Sequence, residues 1–204
     1  MKAANVIITL SGGELGWTLI LAAVVTIILG LGMPTPSAYI LAAVLVGPAL
    51  TKVGLPLLES HMFLLYYAIL SALTPPIAVA ALAAAAIAEE DPFIIAFDAV
   101  RLAAVGFFMP FVFLWNPAIL GAGTGVEIAM ACIGGVIGAT AIAVSFEWLG
   151  KGHTGLIRWP LRAVLLVGAA AAVAPNMLVA ALGILGTGAL SWFLLVRAPH
   201  IKAP

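Results

Sequence analysis

Long apolar runs dominate the chain and constrain its fold more than any other feature. They extend over residues 15–50, 61–88 and 160–196. Hydrophobic residues make up 65% of the 204 residues and charged residues only 8%, whereas a soluble domain has about 25% charged residues. The runs are rich in Ala and Leu and do not alternate in polarity. The sequence therefore predicts an all-α integral membrane protein.

Clustered prolines and glycines interrupt the first two runs. Residues 30–37 read GLGMPTPS, and residues 71–76 read SALTPP. Proline lacks an amide donor and restricts the residue before it, so neither run forms a continuous helix. Each half of the first run rises only about 16–20 Å, too little to cross a hydrocarbon core of about 30 Å. We expect a re-entrant helical hairpin over 15–50 and a broken transmembrane helix over 61–88.

The remaining sequence predicts further spans and a division into two regions. Residues 93–115 predict a conventional span, which completes a transport core over residues 1–120. Residues 121–204 predict an appended C-terminal transmembrane region that begins with a span over 126–148. The run 160–196 is too long for one ordinary crossing. Its Pro175-Asn176 turn leaves open two short crossings or a shallow hairpin.

The two helix breaks predict one shared binding site. A peptide group freed from a helix costs several kcal/mol in lipid unless it finds a partner. Non-helical backbone is tolerated at membrane depth only inside protein or beside a wet cavity. Freed carbonyls and hydroxyls suit a sodium ion, and half-helix N-termini suit an anionic substrate. The competing structural interpretation is a pair of proline kinks.

The residues around both breaks resemble a known transporter family. Residues 30–41, GLGMPTPSAYIL, resemble the second hairpin of the large membrane subunit of TRAP (tripartite ATP-independent periplasmic) transporters. They are most similar to the fused-permease form that works with TAXI-type binding proteins. Residues 73–78, LTPPIA, resemble that family's broken helix, and residues 114–120, LWNPAIL, resemble the end of its last core helix. The resemblance is strong over 15–120 and looser beyond.

The resemblance implies sodium-coupled uptake of an organic acid by an elevator-like movement in the bacterial inner membrane. A periplasmic solute-binding protein of the TAXI type would deliver the substrate, and sodium would be the coupling ion, with no tightly bound cofactor. The chain resembles only the second of the family's two inverted repeats, its C-terminal half. We therefore expect a separate chain to supply the N-terminal half and the small membrane subunit, unless the reading frame is truncated.

The same resemblance assigns site residues. Matched motifs place sodium ligands at the hairpin tip and the facing helix break: Gly32, Met33, Pro34, Thr35 and Thr74. Substrate contacts are expected from nearby residues of the same two segments: Ser37, Ser71, Thr74 and Pro75.

Other functions find little support in the sequence. Eight basic residues balance eight acidic ones, so there is no electrostatic footprint for nucleic acid. Paired intramembrane aspartates, a His-rich metal motif and a nucleotide loop are all missing, which argues against an enzyme. The alternative we retain is a non-transporting helical scaffold that packs against other membrane subunits. A scaffold has no need of two interrupted helices.

Residues outside the two breaks receive structural interpretations. His61, at the start of the second run, is expected to be a solvated boundary residue. Gly134 and Gly138 form a small-residue packing face that could receive another subunit.

Basic residues predict the topology of the chain. The two basic clusters lie within residues 151–162 and 197–202. Cytoplasmic loops carry the excess of Lys and Arg, so both clusters are expected in the cytoplasm. The start of the span 126–148 then lies on the outside.

A topology reporter fused after Lys202 should report the cytoplasm, and one inserted at Gly123 should report the periplasm. The expectation follows from the bias of basic loops toward the cytoplasm. Opposite results at both positions would invert the predicted orientation and, with it, the side from which the hairpin enters.

Overall fold

The protein is all-helical in a computed structural model that describes residues 2–148 and 158–197. No strand occurs within these residues. The chain divides into two compact units, Met1–Pro110 and Phe111–Pro204. The expected division into a core over 1–120 and an appended region over 121–204 stays a prediction.

The first unit contains seven helices and the start of an eighth. Their bounds are α1 Lys2–Ser11, α2 Leu15–Gly30, α3 Thr35–Leu45, α4 Gly47–Lys52, α5 Leu57–Leu70, α6 Val79–Ala88, α7 Pro92–Leu102 and α8 Ala104–Trp115. Helices α2, α3 and α5 pack against one another.

A tight turn separates α2 from α3, inside the segment that the prolines and glycines mark. Gly32 adopts a φ of +75°, a conformation that costs glycine little because it has no Cβ. Pro34 then precedes the first residue of α3, and Pro36 lies in its first turn, where a missing amide does no harm. Insertion of this helix pair into one face of the membrane stays a prediction.

An irregular segment, residues 71–78, separates α5 from α6. Helix α5 begins at Leu57, so His61 lies one turn inside it. The His61 Nδ1 is 2.8 Å from the Tyr39 hydroxyl of α3, and both side chains are partly buried. The expectation of a solvated boundary residue at His61 is therefore wrong. The helix starts a turn earlier than its apolar run, so this position packs against α3.

Three helical stretches are long and apolar enough to cross a membrane within the described parts of the chain. They are Pro92–Trp115, Gly125–Phe146 and Met177–Val196. The first begins at an Asp91 N-cap, whose Oδ1 accepts hydrogen bonds from the Phe93 and Ile94 amides. It is interrupted between α7 and α8 at Ala103, whose backbone is not helical. A carboxylate cap satisfies two of the amide groups that every helix start leaves free.

The second unit is a packed group of three long helices. Its elements are a 3₁₀ turn Pro117–Leu120, α9 Gly125–Ala143, a π-helical turn Val144–Trp148, α10 Arg158–Ala172 and α11 Met177–Arg197. A capping box between Thr124 and Glu127 starts α9. The Asn176 side chain accepts hydrogen bonds from the Leu178 and Val179 amides and starts α11.

Helices α10 and α11 run antiparallel, because a four-residue turn at 173–176 joins them and Gly183 and Thr187 of α11 pack on Ala172 and Gly168 of α10. This arrangement places Arg158, where α10 begins, and Arg197, where α11 ends, at the same end of the pair. This placement agrees with the expectation that both basic clusters lie on the same side of the membrane. Lys151, His153 and Lys202 of those clusters lie outside the described residues.

Glycines allow the helices of the second unit to approach closely. A Cβ on Gly134 would overlap the carbonyl oxygen of Ala172, and a Cβ on Gly138 would lie 3.3 Å from that of Ala169. The small-residue face of α9 is thus filled by α10 of the same chain. The expectation of a small-residue packing face at Gly134 and Gly138 is confirmed, and its partner within the chain is α10.

Asn116 fastens the 3₁₀ turn to the end of α10. Its Nδ2 donates to the Val173 carbonyl at 3.1 Å, and its Oδ1 accepts from the Ala118 amide at 3.2 Å. The residue is buried. Both polar atoms of the side chain therefore have partners, as a buried amide requires.

Two neighbouring glycines of α9 provide a matched test of this packing. Gly134→Ala should lower the midpoint of thermal unfolding in detergent by several degrees, since overpacking costs about 1–3 kcal/mol. Gly135→Ala should leave the midpoint unchanged or raise it, because a Cβ there meets its nearest atom at 4.0 Å and alanine favours helix by about 1 kcal/mol. Equal behaviour of the two variants would contradict the packing described for α9 and α10.

Candidate functional site

The hairpin turn and the helix break lie against each other. A Cβ on Gly30, at the end of α2, would overlap the Ser71 hydroxyl and lie 3.3 Å from the Ala38 Cβ. A Cβ on Gly32 would lie 3.4 Å from the Ile77 Cδ1. The two segments therefore approach each other at two points. Only the Gly30–Ser71 contact depends on the absence of a side chain, because a Cβ on Gly32 would meet Ile77 at an ordinary van der Waals distance. The structure brings together the two motifs that the sequence singled out.

The hairpin turn leaves several carbonyls free. The Met33 amide donates to the Gly30 carbonyl at 3.1 Å, and the Ala38 amide donates to the Pro34 carbonyl at 3.1 Å. Among the described residues, nothing donates to the carbonyls between them, those of Leu31, Gly32 and Met33. Three oxygens that accept nothing from the described parts of the chain thus lie in one short turn.

The break between α5 and α6 also contains carbonyls that accept no hydrogen bond from the described residues. The Ala78 amide donates to the Thr74 carbonyl at 3.2 Å, and the Ala80 amide donates to the Ala72 carbonyl at 3.1 Å. Four other carbonyls of the segment accept no hydrogen bond from the described residues: Leu73, Pro75, Pro76 and Ile77. Oxygen atoms of both irregular segments are therefore available near the Gly32–Ile77 contact.

Two helix starts adjoin these free carbonyls. Helix α3 begins after Pro34, and α6 begins after Ala78, each without a side-chain cap. Ala78 has a φ of 40°, which is uncommon for a residue with a Cβ. Uncapped first-turn amides carry the positive end of the helix dipole, which attracts an anion.

The predicted site residues differ in how accessible they are. Gly32, Pro34 and Ser37 are exposed. Partial burial is shared by residues of both segments: Met33, Thr35, Thr74 and Pro75. Ser71 is fully buried, and its hydroxyl donates to the Ala68 carbonyl at 2.7 Å. A role for Ser71 in substrate contact stays a prediction, whereas its contact with Gly30 is part of this structure.

The hydroxyl groups of the site are only partly used. Thr74 Oγ1 donates to the Leu70 carbonyl at 2.8 Å. That bond uses the hydroxyl proton and leaves the oxygen lone pairs available. The hydroxyls of Thr35 and Ser37 have no hydrogen bond to any described residue. All three side chains can therefore supply an oxygen ligand.

Sequence reasoning missed two residues near this contact. Gly30 was seen only as part of a helix-breaking segment, although its missing side chain is what admits Ser71. Thr26 lies one turn before Gly30 on α2, is fully buried, and has an Oγ1 without a hydrogen-bond partner among the described residues. The signal that could have identified Thr26 is its position four residues before Gly30, the glycine that ends α2.

The first unit thus has the features of a membrane transporter core, in which interrupted helices face one another. Residues 1–128 match the family Tripartite ATP-independent periplasmic transporter, DctM component. They are more than half of the 204 residues, and the chain belongs to this family. No curated protein and no solved structure matches the chain.

Membership in this family fixes the general role of the chain. It is a multi-pass membrane permease component of a TRAP transporter and not an enzyme. Membership also implies partnership with a periplasmic binding protein and a small membrane subunit.

The Gly30–Ser71 contact can be tested by second-site rescue. Gly30→Ala should lower the unfolding midpoint by several degrees, because the added Cβ overlaps the Ser71 side chain. Adding Ser71→Gly should restore part of the loss. Gly16→Ala on the exposed face of α2, where the nearest atom is 4.0 Å away, is the matched control and should be neutral. If the double variant shows no rescue, the loss of stability in Gly30→Ala does not come from the Gly30–Ser71 contact.

Proposed function

We propose that the hairpin turn and the α5–α6 break together bind the sodium ion of a sodium-coupled symporter for organic acids. The site would belong to the second repeat of an elevator-type permease in the bacterial inner membrane. A TAXI-type periplasmic protein would deliver the carboxylate substrate. The single observation that carries the proposal is the contact of two irregular segments in which several carbonyl oxygens accept no hydrogen bond from the described residues.

Sodium suits these ligands because it is a hard cation that binds oxygen. The proposed ligands are the main-chain carbonyls of Gly32 and Met33, the Pro34 carbonyl through the lone pair that the Ala38 amide leaves unused, and the hydroxyl oxygens of Thr35 and Thr74. Each unpaired carbonyl at membrane depth costs several kcal/mol without a partner. A bound cation removes that cost for several groups at once. The proline-kink interpretation gives no reason for two sets of free oxygens to lie together.

A carboxylate substrate suits the uncapped helix starts beside the cation. The Thr35 and Ser37 amides of α3 and the Val79 amide of α6, which have no acceptor among the described residues, offer donors, and the sodium ion adds positive charge. Ser37 is exposed in the first turn of α3 and can donate a hydrogen bond to the same carboxylate. Pro75 and Thr74 would border the substrate from the break. Such an arrangement couples the two solutes because each one stabilises the site for the other.

Thr74 is the residue at which the sodium proposal can be tested most sharply. Thr74→Val keeps the shape of the side chain but removes its oxygen, and Thr74→Ser keeps the oxygen. If Thr74 is a ligand, Val should weaken sodium binding by about 1–3 kcal/mol, or about 5- to 150-fold. Ser should retain most of the affinity. The measurements are the sodium concentration for half-maximal uptake by the complete transporter and the sodium-induced rise in the unfolding midpoint of the purified chain.

Controls separate lost ligation from lost folding. Both variants are first compared without sodium, because Val also removes one of the two donors to the Leu70 carbonyl and leaves only the Leu73 amide. Potassium at equal ionic strength replaces sodium in a parallel titration. If Val responds to sodium like the natural protein, Thr74 is not a ligand. If sodium has no effect on the natural protein in the complete transporter, the scaffold alternative is favoured.

A further inference from the structure

One carboxylate of the first unit lies in a stretch that is otherwise apolar and long enough to cross a membrane. Asp98 belongs to α7, within the candidate span Pro92–Trp115. It follows Pro92 at a rise of about 9 Å, at 1.5 Å per residue. The span of 24 residues is only about 6 Å longer than a hydrocarbon core of about 30 Å. A centred span therefore places Asp98 inside the hydrocarbon, and its short side chain cannot extend to the interface as lysine or arginine can.

The side of α7 that carries Asp98 is uncovered. The Asp98 side chain is exposed, and it forms no hydrogen bond or ion pair with any described residue. Ala96, two residues earlier, lies on the opposite side of the helix. It is 2% exposed and packs with Ala78 and Ala81. The packing of α6 on α7 thus leaves the carboxylate outside the first unit.

Large apolar side chains surround Asp98 on this uncovered face. Ile94 and Leu102, one turn before and one turn after it, are 57% and 69% exposed, and Phe97 is 65% exposed. Only 6% of the apolar stretch of this span is buried, against 39% and 28% for the other two candidate spans. Acyl chains can cover the apolar side chains of this face, but they offer no partner for its carboxylate.

We propose that the face formed by Ile94, Phe97, Asp98 and Leu102 binds a transmembrane helix of another subunit, which places an arginine or lysine opposite Asp98. A basic side chain suits the carboxylate because an ion pair costs less in an apolar medium than a single charge. A second copy of this chain suits it poorly. The candidate spans contain one basic residue, Arg101, and it already interacts within its own chain.

Synthetic transmembrane peptides serve as the probe for this partner. Each is a leucine-rich helix as long as the span, with arginine, glutamine or leucine at the depth of Asp98 and a dansyl group in place of tryptophan. The full chain is reconstituted in phosphatidylcholine vesicles, and energy transfer from its tryptophans to the dansyl group measures binding. The arginine peptide should bind about 3- to 30-fold more tightly than the leucine peptide, with glutamine between them. Equal binding of the arginine and leucine peptides would overturn the proposal.

Variants test whether Asp98 is the residue that recognises the basic side chain. Asp98→Asn removes the charge at nearly constant size and should abolish the preference for arginine over glutamine, whereas Asp98→Glu should keep most of it. Glu90→Gln is the matched control, because it removes one carboxylate from an exposed residue just before α7. It should bind the peptides like the natural protein. A preference that persists in Asp98→Asn, or an equal loss in Glu90→Gln, would contradict the site.

Two other partners for Asp98 predict different results. If Asp98 pairs with Arg101 of its own helix in the bilayer, the natural protein should show no preference for the arginine peptide, and Arg101→Gln should create one. If a second copy covers the face, the chain should form a dimer in the vesicles that Asp98→Asn dissociates. Either result would overturn the proposal of a basic residue from another subunit.

Discussion

A helix that stops inside an apolar medium leaves peptide groups without partners, and this cost shapes the first unit more than any other interaction. The end of α5 satisfies part of it locally, through the Thr74 hydroxyl on the Leu70 carbonyl and the Ser71 hydroxyl on the Ala68 carbonyl. Further carbonyls of the two irregular segments accept no hydrogen bond from the described residues. Since water or a ligand must meet them, the position of these oxygens indicates where the molecule is open to polar solutes.

Contacts through glycine bring those two segments together. In lipid, no hydrophobic force drives one helix against another, so close van der Waals packing decides which surfaces meet. Gly30 admits the buried Ser71 side chain, and in the second unit Gly134 admits the backbone of Ala172. Close packing at a glycine has a different effect in each unit. In the first unit it positions two helix interruptions, and in the second it packs regular helices over much of their length.

The sequence predicted the local features of this fold and missed the tertiary ones. Proline and glycine act on their own backbone, so the interruptions at 30–37 and 71–76 could be located without a structure. The partner of a small residue is set by the rest of the chain, which is why Ala172 was not foreseen for Gly134. The hydrogen bond between Tyr39 and His61 was missed for a similar reason, because only packing of α3 on α5 places these side chains together. Of the candidate site, the motifs could be predicted, but the Gly30–Ser71 contact could not.

A binding site built from main-chain oxygens depends on conformation more than on side-chain chemistry. At the hairpin turn, the proposed ligands Gly32, Met33 and Pro34 would act through carbonyls that any residue possesses. What these positions require is a backbone path: a positive φ at Gly32, and a fixed φ at Pro34 that sets the entry into α3. On the sodium proposal, a segment with no charged side chain would bind the cation through its backbone. A substitution that keeps the charge and polarity of the turn but alters its dihedral angles would move the oxygens, and the geometry of the site would be lost with them.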